Sequence, residues 1–104
     1  MKLIERQADF LKALAHPSRI SLIQQLMDGE RCVCELTADT ELEQANVSQH
    51  LVVLRNQGIV ESRREGTRII YRLKRTEAAQ ILALAAAALS TRMDEEWRDF
   101  KAGA

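Results

Sequence analysis

A chain of 104 residues with 46% hydrophobic but only 4% aromatic side chains has room for one domain, residues 1–104, with a core built from Leu, Ile, Val and Ala. Its 15 basic and 15 acidic residues cancel, which excludes the global basic excess of a protein that holds nucleic acid by net charge. The longest apolar run, residues 81–89, is about half of the roughly 20 residues that a membrane-spanning helix needs.

Taken in order, Leu3, Ile4, Phe10, Leu11 and Leu14 recur at helical spacing and predict a first helix over residues 3–15. Pro17 disfavours helical geometry at His16 and suits the first turn of a new helix. Ile20, Leu22, Ile23, Leu26 and Met27 mark that second helix, with Gly29 expected in the C′ position. A third helix is expected from about Cys32 to Thr40, with Val33 and Leu36 facing inward. The fourth, from about Gln44 to Gln57, buries Val47, Leu51 and Leu54 and is closed by Gly58. Asn46 and Gln49 fit a capping box, so Asn46 is an alternative start. Residues 59–64 and 67–73 read as two strands joined at Glu65-Gly66, and residues 76–101 as one long helix with an Ala-rich middle. The order helix-helix-helix-helix-strand-strand-helix, mainly α, is that of a winged helix-turn-helix.

Charge is unevenly placed. Residues 55–75 hold seven basic side chains against Glu61 and Glu65, a local excess of five positive charges, while Asp94, Glu95, Glu96 and Asp99 make the C-terminal segment acidic. In a helix-turn-helix the second helix sends its N-terminal residues into the major groove. Here those residues are Gln44, Asn46, Ser48, Gln49 and His50, with Arg55 further along. Asn and Gln bond the adenine edge at two points, and Ser and His contact phosphate or bases. Arg63, Arg64 and Arg68 on the strand pair are placed to meet phosphate or a neighbouring minor groove.

Cys32 and Cys34 are the only cysteines. Two cysteines two residues apart are not expected to form an ordinary structural disulfide without severe strain, and the first residues, with Lys2, Glu5, Arg6 and Asp9, lack a secretory pattern. Free thiols in a reducing cytoplasm are therefore expected. Thiolates bind soft or borderline ions. On a regular α-helix, residues i and i+2 point about 200° apart, so chelation by this pair is expected to bend the helix that it begins.

The segments LAHPSRISLIQQL at residues 14–26, CVCEL at 32–36 and NVSQHLVVLRNQGIVESRREGTRIIYRL at 46–73 resemble the ArsR/SmtB family of bacterial metalloregulatory repressors, over nearly the whole chain. The resemblance implies a homodimer paired through its first and last helices, which binds an imperfect palindrome in double-stranded operator DNA and releases it when an effector binds. The arsenic-responsive type carries a CVC motif here, with a third cysteine three residues on, where this chain has Thr37. It thus implies As(III) or Sb(III) at Cys32 and Cys34, with hydroxide, an external thiol or a rearranged side chain as third ligand. Cadmium/lead sensors add cysteines from an N-terminal arm, absent from residues 1–31, and zinc sensors place Asp and His on the last helix, which here has no His.

Within that class, Cd, Pb, Hg, oxidants or reactive sulfur are the alternative effectors of the pair. His16 is expected to pack or cap at a helix junction. An alternative of another class is a helical protein-interaction module without DNA binding. An enzyme is not expected: there is no glycine-rich phosphate loop, paired-carboxylate pocket or Ser/His/Asp set, and no organic cofactor motif.

Overall fold

The computed structural model describes residues 2–37 and 46–103. Helix α1 (Leu3–Leu14) leads into α2 (Pro17–Leu26), and a short strand β1 (Arg31–Cys32) runs directly into a 3-10 turn (Val33–Glu35). Helix α3 (Val47–Asn56) is followed by the hairpin of β2 (Val60–Glu65) and β3 (Arg68–Leu73), and α4 (Thr76–Gly103) ends the chain. The three strands form an antiparallel sheet in the order β1-β3-β2.

Each boundary has a local cause. Pro17 occupies the first turn of α2, where its missing N–H is not needed, and the His16 side chain accepts a hydrogen bond from the Ser18 backbone N–H at 3.1 Å. The expected capping role of His16 is thus formed. Gly58 has φ 71°, and α3 closes in a Schellman arrangement. Gly58 N–H donates to the Arg55 carbonyl at 2.9 Å and Ile59 N–H to that of Leu54 at 3.0 Å. Gly66, at φ 61°, takes the first place of a two-residue Gly66-Thr67 connection, where type II′ geometry demands glycine. The hairpin turns one residue later than the expected Glu65-Gly66. Gly29 lies two residues beyond the α2 cap Met27, one place past the expected C′ position.

Leu22 and Ile23 of α2, Leu51 and Leu54 of α3, and Ile59 and Val60 entering β2 are almost completely buried and form one core with Leu14, Leu36, Tyr71 and Ala78. That core fixes α3 against α2 and the hairpin against both. The expected inward face of α3 is present, with Val47 partly buried beside Leu51 and Leu54.

Two further local expectations are corrected. The third helix does not begin at Cys32: Arg31 and Cys32 pair with Tyr71 and Ile70 of β3, Val33–Glu35 make a 3-10 turn, and Leu36 is extended. Ladder bonds to β3 hold the backbone of Cys32 extended (φ −65°, ψ 148°), so it stands outside the turn as its cap, and only the three residues of the 3-10 turn follow before Leu36 is extended again. The remainder of that expected helix, towards Thr40, lies outside the described residues. Asn46 stands at the N-cap of α3 but makes no side-chain cap bond, so the Asn46/Gln49 capping box is not formed. A capping box forms instead at Cys32 and Glu35.

Candidate nucleic-acid interface and thiol site

The Schellman stop and the apolar seam of α3 leave Ser48, Gln49, Val52 and Arg55 exposed on its outer face. Ser48, Val52 and Arg55 form one wall of a cavity of about 580 Å³. Thr67, Arg68 and Ile69 of the wing form a second wall, and Cys32 to Cys34 a third. The fold therefore brings together Ser48, Arg55 and Arg68 of the expected DNA face with both cysteines. Gln44 lies outside the described residues. Asn46 is half-buried at the start of α3.

His50 is placed differently from the expectation that it meets DNA. Only 8% exposed, it packs against His16 with ring centroids 4.4 Å apart, and Arg19 Nη1 lies 3.3 Å from its Nδ1. Arg19 also donates from Nε to the Ala13 carbonyl at 2.7 Å and from Nη2 to that of Lys12 at 3.2 Å, satisfying the end of α1. The cluster ties α1 and α2 to the reader helix, and His50 is a fastening of that helix.

The basic excess of the hairpin is largely met by the protein's own acids. Arg63 pairs with Glu30 and with Glu65, the latter at 3.0 Å, and these hydrogen bonds, Glu30 first, raise the Arg63 pKa above its ordinary value. Glu61 holds Arg72 and, at 3.7 Å, Lys74, and Glu35 holds Arg68 at 3.2 Å. Arg55, Arg64 and Arg75 have no acidic partner among the described residues, so they carry the unneutralised charge of this face. All these pairs are exposed and solvent-screened.

Cys32 and Cys34 are joined by a disulfide, with Cα atoms 5.1 Å apart, inside the ordinary range for such a bond. The two-residue spacing alone argues against an ordinary bridge; the strand-to-3-10 transition turns both sulfurs to one side. Bringing the two sulfurs together therefore requires no bent helix. Cys32 is 4% exposed, whereas Cys34 is exposed. The Cys34 backbone N–H donates to Cys32 Sγ at 3.1 Å, and the Cys32 N–H donates to Glu35 Oε1 at 3.0 Å. The same Glu35 oxygen takes the Arg68 guanidinium, so one carboxylate links the thiol turn to the wing. On the other side, the Gln25 amide clamps Thr37, donating to its carbonyl at 2.6 Å and accepting from its N–H at 3.2 Å. Among the described residues no third His, Cys, Asp or Glu stands with the pair as a metal-ligand set.

Glu35 and Gln25, which hold the thiol turn to the wing and to α2, are the residues of this site that sequence reasoning missed. Cys32-x-x-Glu35 carries the capping-box spacing with a thiol in the hydroxyl's place, so that link had a signal. The Gln25 clamp spans distant segments and had none. Replacing Glu35 by Gln keeps an acceptor for the Cys32 N–H but removes the negative charge that neutralises Arg68. Its affinity for duplex DNA should rise roughly 2- to 5-fold. The salt dependence should steepen by about one phosphate contact, measured by fluorescence anisotropy.

A family model described as "Bacterial regulatory protein, arsR family" matches residues 16–62, which run from the start of α2 through the thiol turn and reader helix into the wing. The chain is 43% identical over 84 residues to the HTH-type transcriptional regulator Rv0081 of Mycobacterium tuberculosis, covering 80% of this chain and 74% of that one. This chain belongs to the ArsR family. The crystal structure of Rv0081 superposes with a TM-score of 0.77 at 38% identity, over 92% of this chain and 97% of that one. The transcriptional repressor BigR from Xylella fastidiosa gives 0.69 at 40% identity, over 82% and 87%. The homodimeric winged helix-turn-helix DNA-binding domain Mb0332 from Mycobacterium bovis gives 0.73 at 32% identity, over 89% and 86%. An ArsR-family chain of this fold is a transcriptional regulator and not an enzyme. None of its described helices is long and apolar enough to cross a membrane.

Proposed function

We propose that this chain is a homodimeric repressor that binds operator DNA through α3 and the wing, and that As(III) or Sb(III) at Cys32 and Cys34 releases it. One observation carries the coupling: the cysteine pair walls the same cavity as Ser48 and Arg55 of the reader and Arg68 of the wing. Two soft thiolates on one side of a turn suit a soft, thiophilic ion once the pair is reduced. With Thr37 in place of a third cysteine and no third protein ligand among the described residues, hydroxide or an external thiol would complete the set. Any rearrangement of the Cys32–Cys34 turn displaces the Cys32 N–H from Glu35 and alters the hold of Glu35 on Arg68. Pairing with a second copy is supported by the apolar residues left exposed on α1 and α4, among them Ile4, Leu84 and Trp97.

The test is an anisotropy titration of reduced protein on the DNA upstream of its own gene, with arsenite, cadmium, zinc and polysulfide added in turn. Arsenite should lower affinity by about 5- to 150-fold, and Cys34→Ser should reduce that ratio to near one. Release by another ligand while arsenite leaves the complex intact would overturn the arsenic reading. A second reading, release by oxidation, is favoured by the disulfide itself. It predicts that the bonded form binds this DNA less tightly than the reduced form. Binding without preference over random duplex across a salt series would favour the interaction-module alternative and remove the repressor reading.

A further inference from the structure

We infer that the cavity between the thiol turn, α3 and the wing is a binding and modification site for a small anionic thiol, which becomes disulfide-bonded to Cys34. The cavity, about 580 Å³, falls within the range of small-molecule sites. Its walls are of two kinds. Val33, Val52, Ile69 and Tyr71 give an apolar lining, and Arg55 and Arg68 give two guanidinium groups. Arg68 holds the Glu35 carboxylate at 3.2 Å, so an incoming carboxylate takes the place of Glu35 there. Arg55 has no acidic partner among the described residues. A thiol that carries a carboxylate on a short, partly apolar frame matches this set of walls.

The two sulfurs are not equivalent. Cys34 is exposed at the cavity, whereas Cys32 is buried and its Sγ receives the Cys34 backbone N–H at 3.1 Å. The thiol loses its proton to solvent, and its thiolate attacks Cys34 Sγ. A new S–S bond forms there, the Cys32–Cys34 bond breaks, and the electron pair leaves on Cys32 Sγ, where the Cys34 N–H stabilises the thiolate. One disulfide is exchanged for another, with no outside oxidant. An anion seated there also occupies two guanidinium groups that the regulator reading assigns to DNA phosphate, so any effect on DNA rests on that reading.

The site is tested with Cys32→Ser, which leaves Cys34 unable to close the bridge. Its thiolation is timed by intact mass with glutathione disulfide (anionic), hydroxyethyl disulfide (neutral) and cystamine (cationic). Each rate is divided by that of free cysteine with the same reagent. The anionic reagent should be favoured about tenfold over the cationic one. Changing Arg55 and Arg68 together to Gln should abolish that preference. Opening the disulfide of the unmodified protein with reduced glutathione, mercaptoethanol and cysteamine should give the same order, with the trapped adduct mapped to Cys34. Equal normalised rates for the three charges, or an adduct on Cys32, would overturn the proposal. A parallel duplex-binding measurement on the adduct tests the regulator reading alone, since mass mapping reports the site independently of DNA.

Discussion

Replacing Leu54 with alanine should remove about 2–5 kcal/mol of stability, a large part of the 5–15 kcal/mol that holds a domain of this size together. The side chain is fully buried between α2 and the hairpin, so its loss removes transfer energy and leaves a cavity that rigid neighbours cannot fill. The Leu54 carbonyl also accepts the Ile59 N–H that closes α3, so relaxation of the helix to fill the void would strain the Schellman stop. Val52, two residues earlier and 38% exposed, is the internal comparison: Val52→Ala should change stability by less than about 0.5 kcal/mol. Urea unfolding at one fixed protein concentration measures both, since pairing of chains would add a concentration-dependent term. Equal midpoints for the two variants would contradict the packing described for α3.

The contrast between those two residues was legible in the sequence, and so was most of the frame that carries them. Helical periodicity located α1, α2 and α3, and the Ala-rich run of residues 83–88 located α4. Ile69 to Tyr71 and Gly66 located the hairpin for the same kind of local reason. The failures were non-local or chemical. β1 is two residues long and exists only because Ile70 and Tyr71 of β3 lie alongside it, which no window around Cys32 reports. With that strand missed, chelation by the pair was referred to an α-helix, while the bridge was judged unfavourable from the two-residue spacing alone. His50 failed differently. Its spacing from Val47 and Leu54 puts it on the buried face of α3, but its polar ring suggested a DNA contact, and the partners that make burial acceptable, His16 and Arg19, come from the start of α2. The arginines of the hairpin were counted correctly as charge, yet their pairing with Glu30, Glu35 and Glu61 depends on sheet register and could not be read from local composition.

Introducing a carboxylate at Leu84 should raise the dissociation constant of the proposed dimer by roughly 100-fold or more, equivalent to about 3 kcal/mol. Leu84 is 71% exposed on α4, one turn beyond Ile81, which with Leu3, Phe10 and Leu11 of α1 lines an open apolar groove of about 370 Å³. A chain with so few aromatics that still leaves Trp97 and Phe100 uncovered on the same helix has apolar area to bury against another surface. In a two-fold interface each substitution occurs twice, so Leu84→Glu would place two carboxylates in a desolvated apolar contact without partners. Because Leu84 is exposed within one chain, the variant should keep the fold of the protomer, and circular dichroism checks that directly. Sedimentation velocity over a concentration series then reads the dimer itself. A separated protomer presents one reader helix to one half-site, so affinity for a palindromic duplex should fall with dimerisation, whereas affinity for a single half-site should not. If sedimentation is unchanged, the exposed face of α4 is not where two copies meet, and the spacing of two reader helices on DNA must be set by another surface.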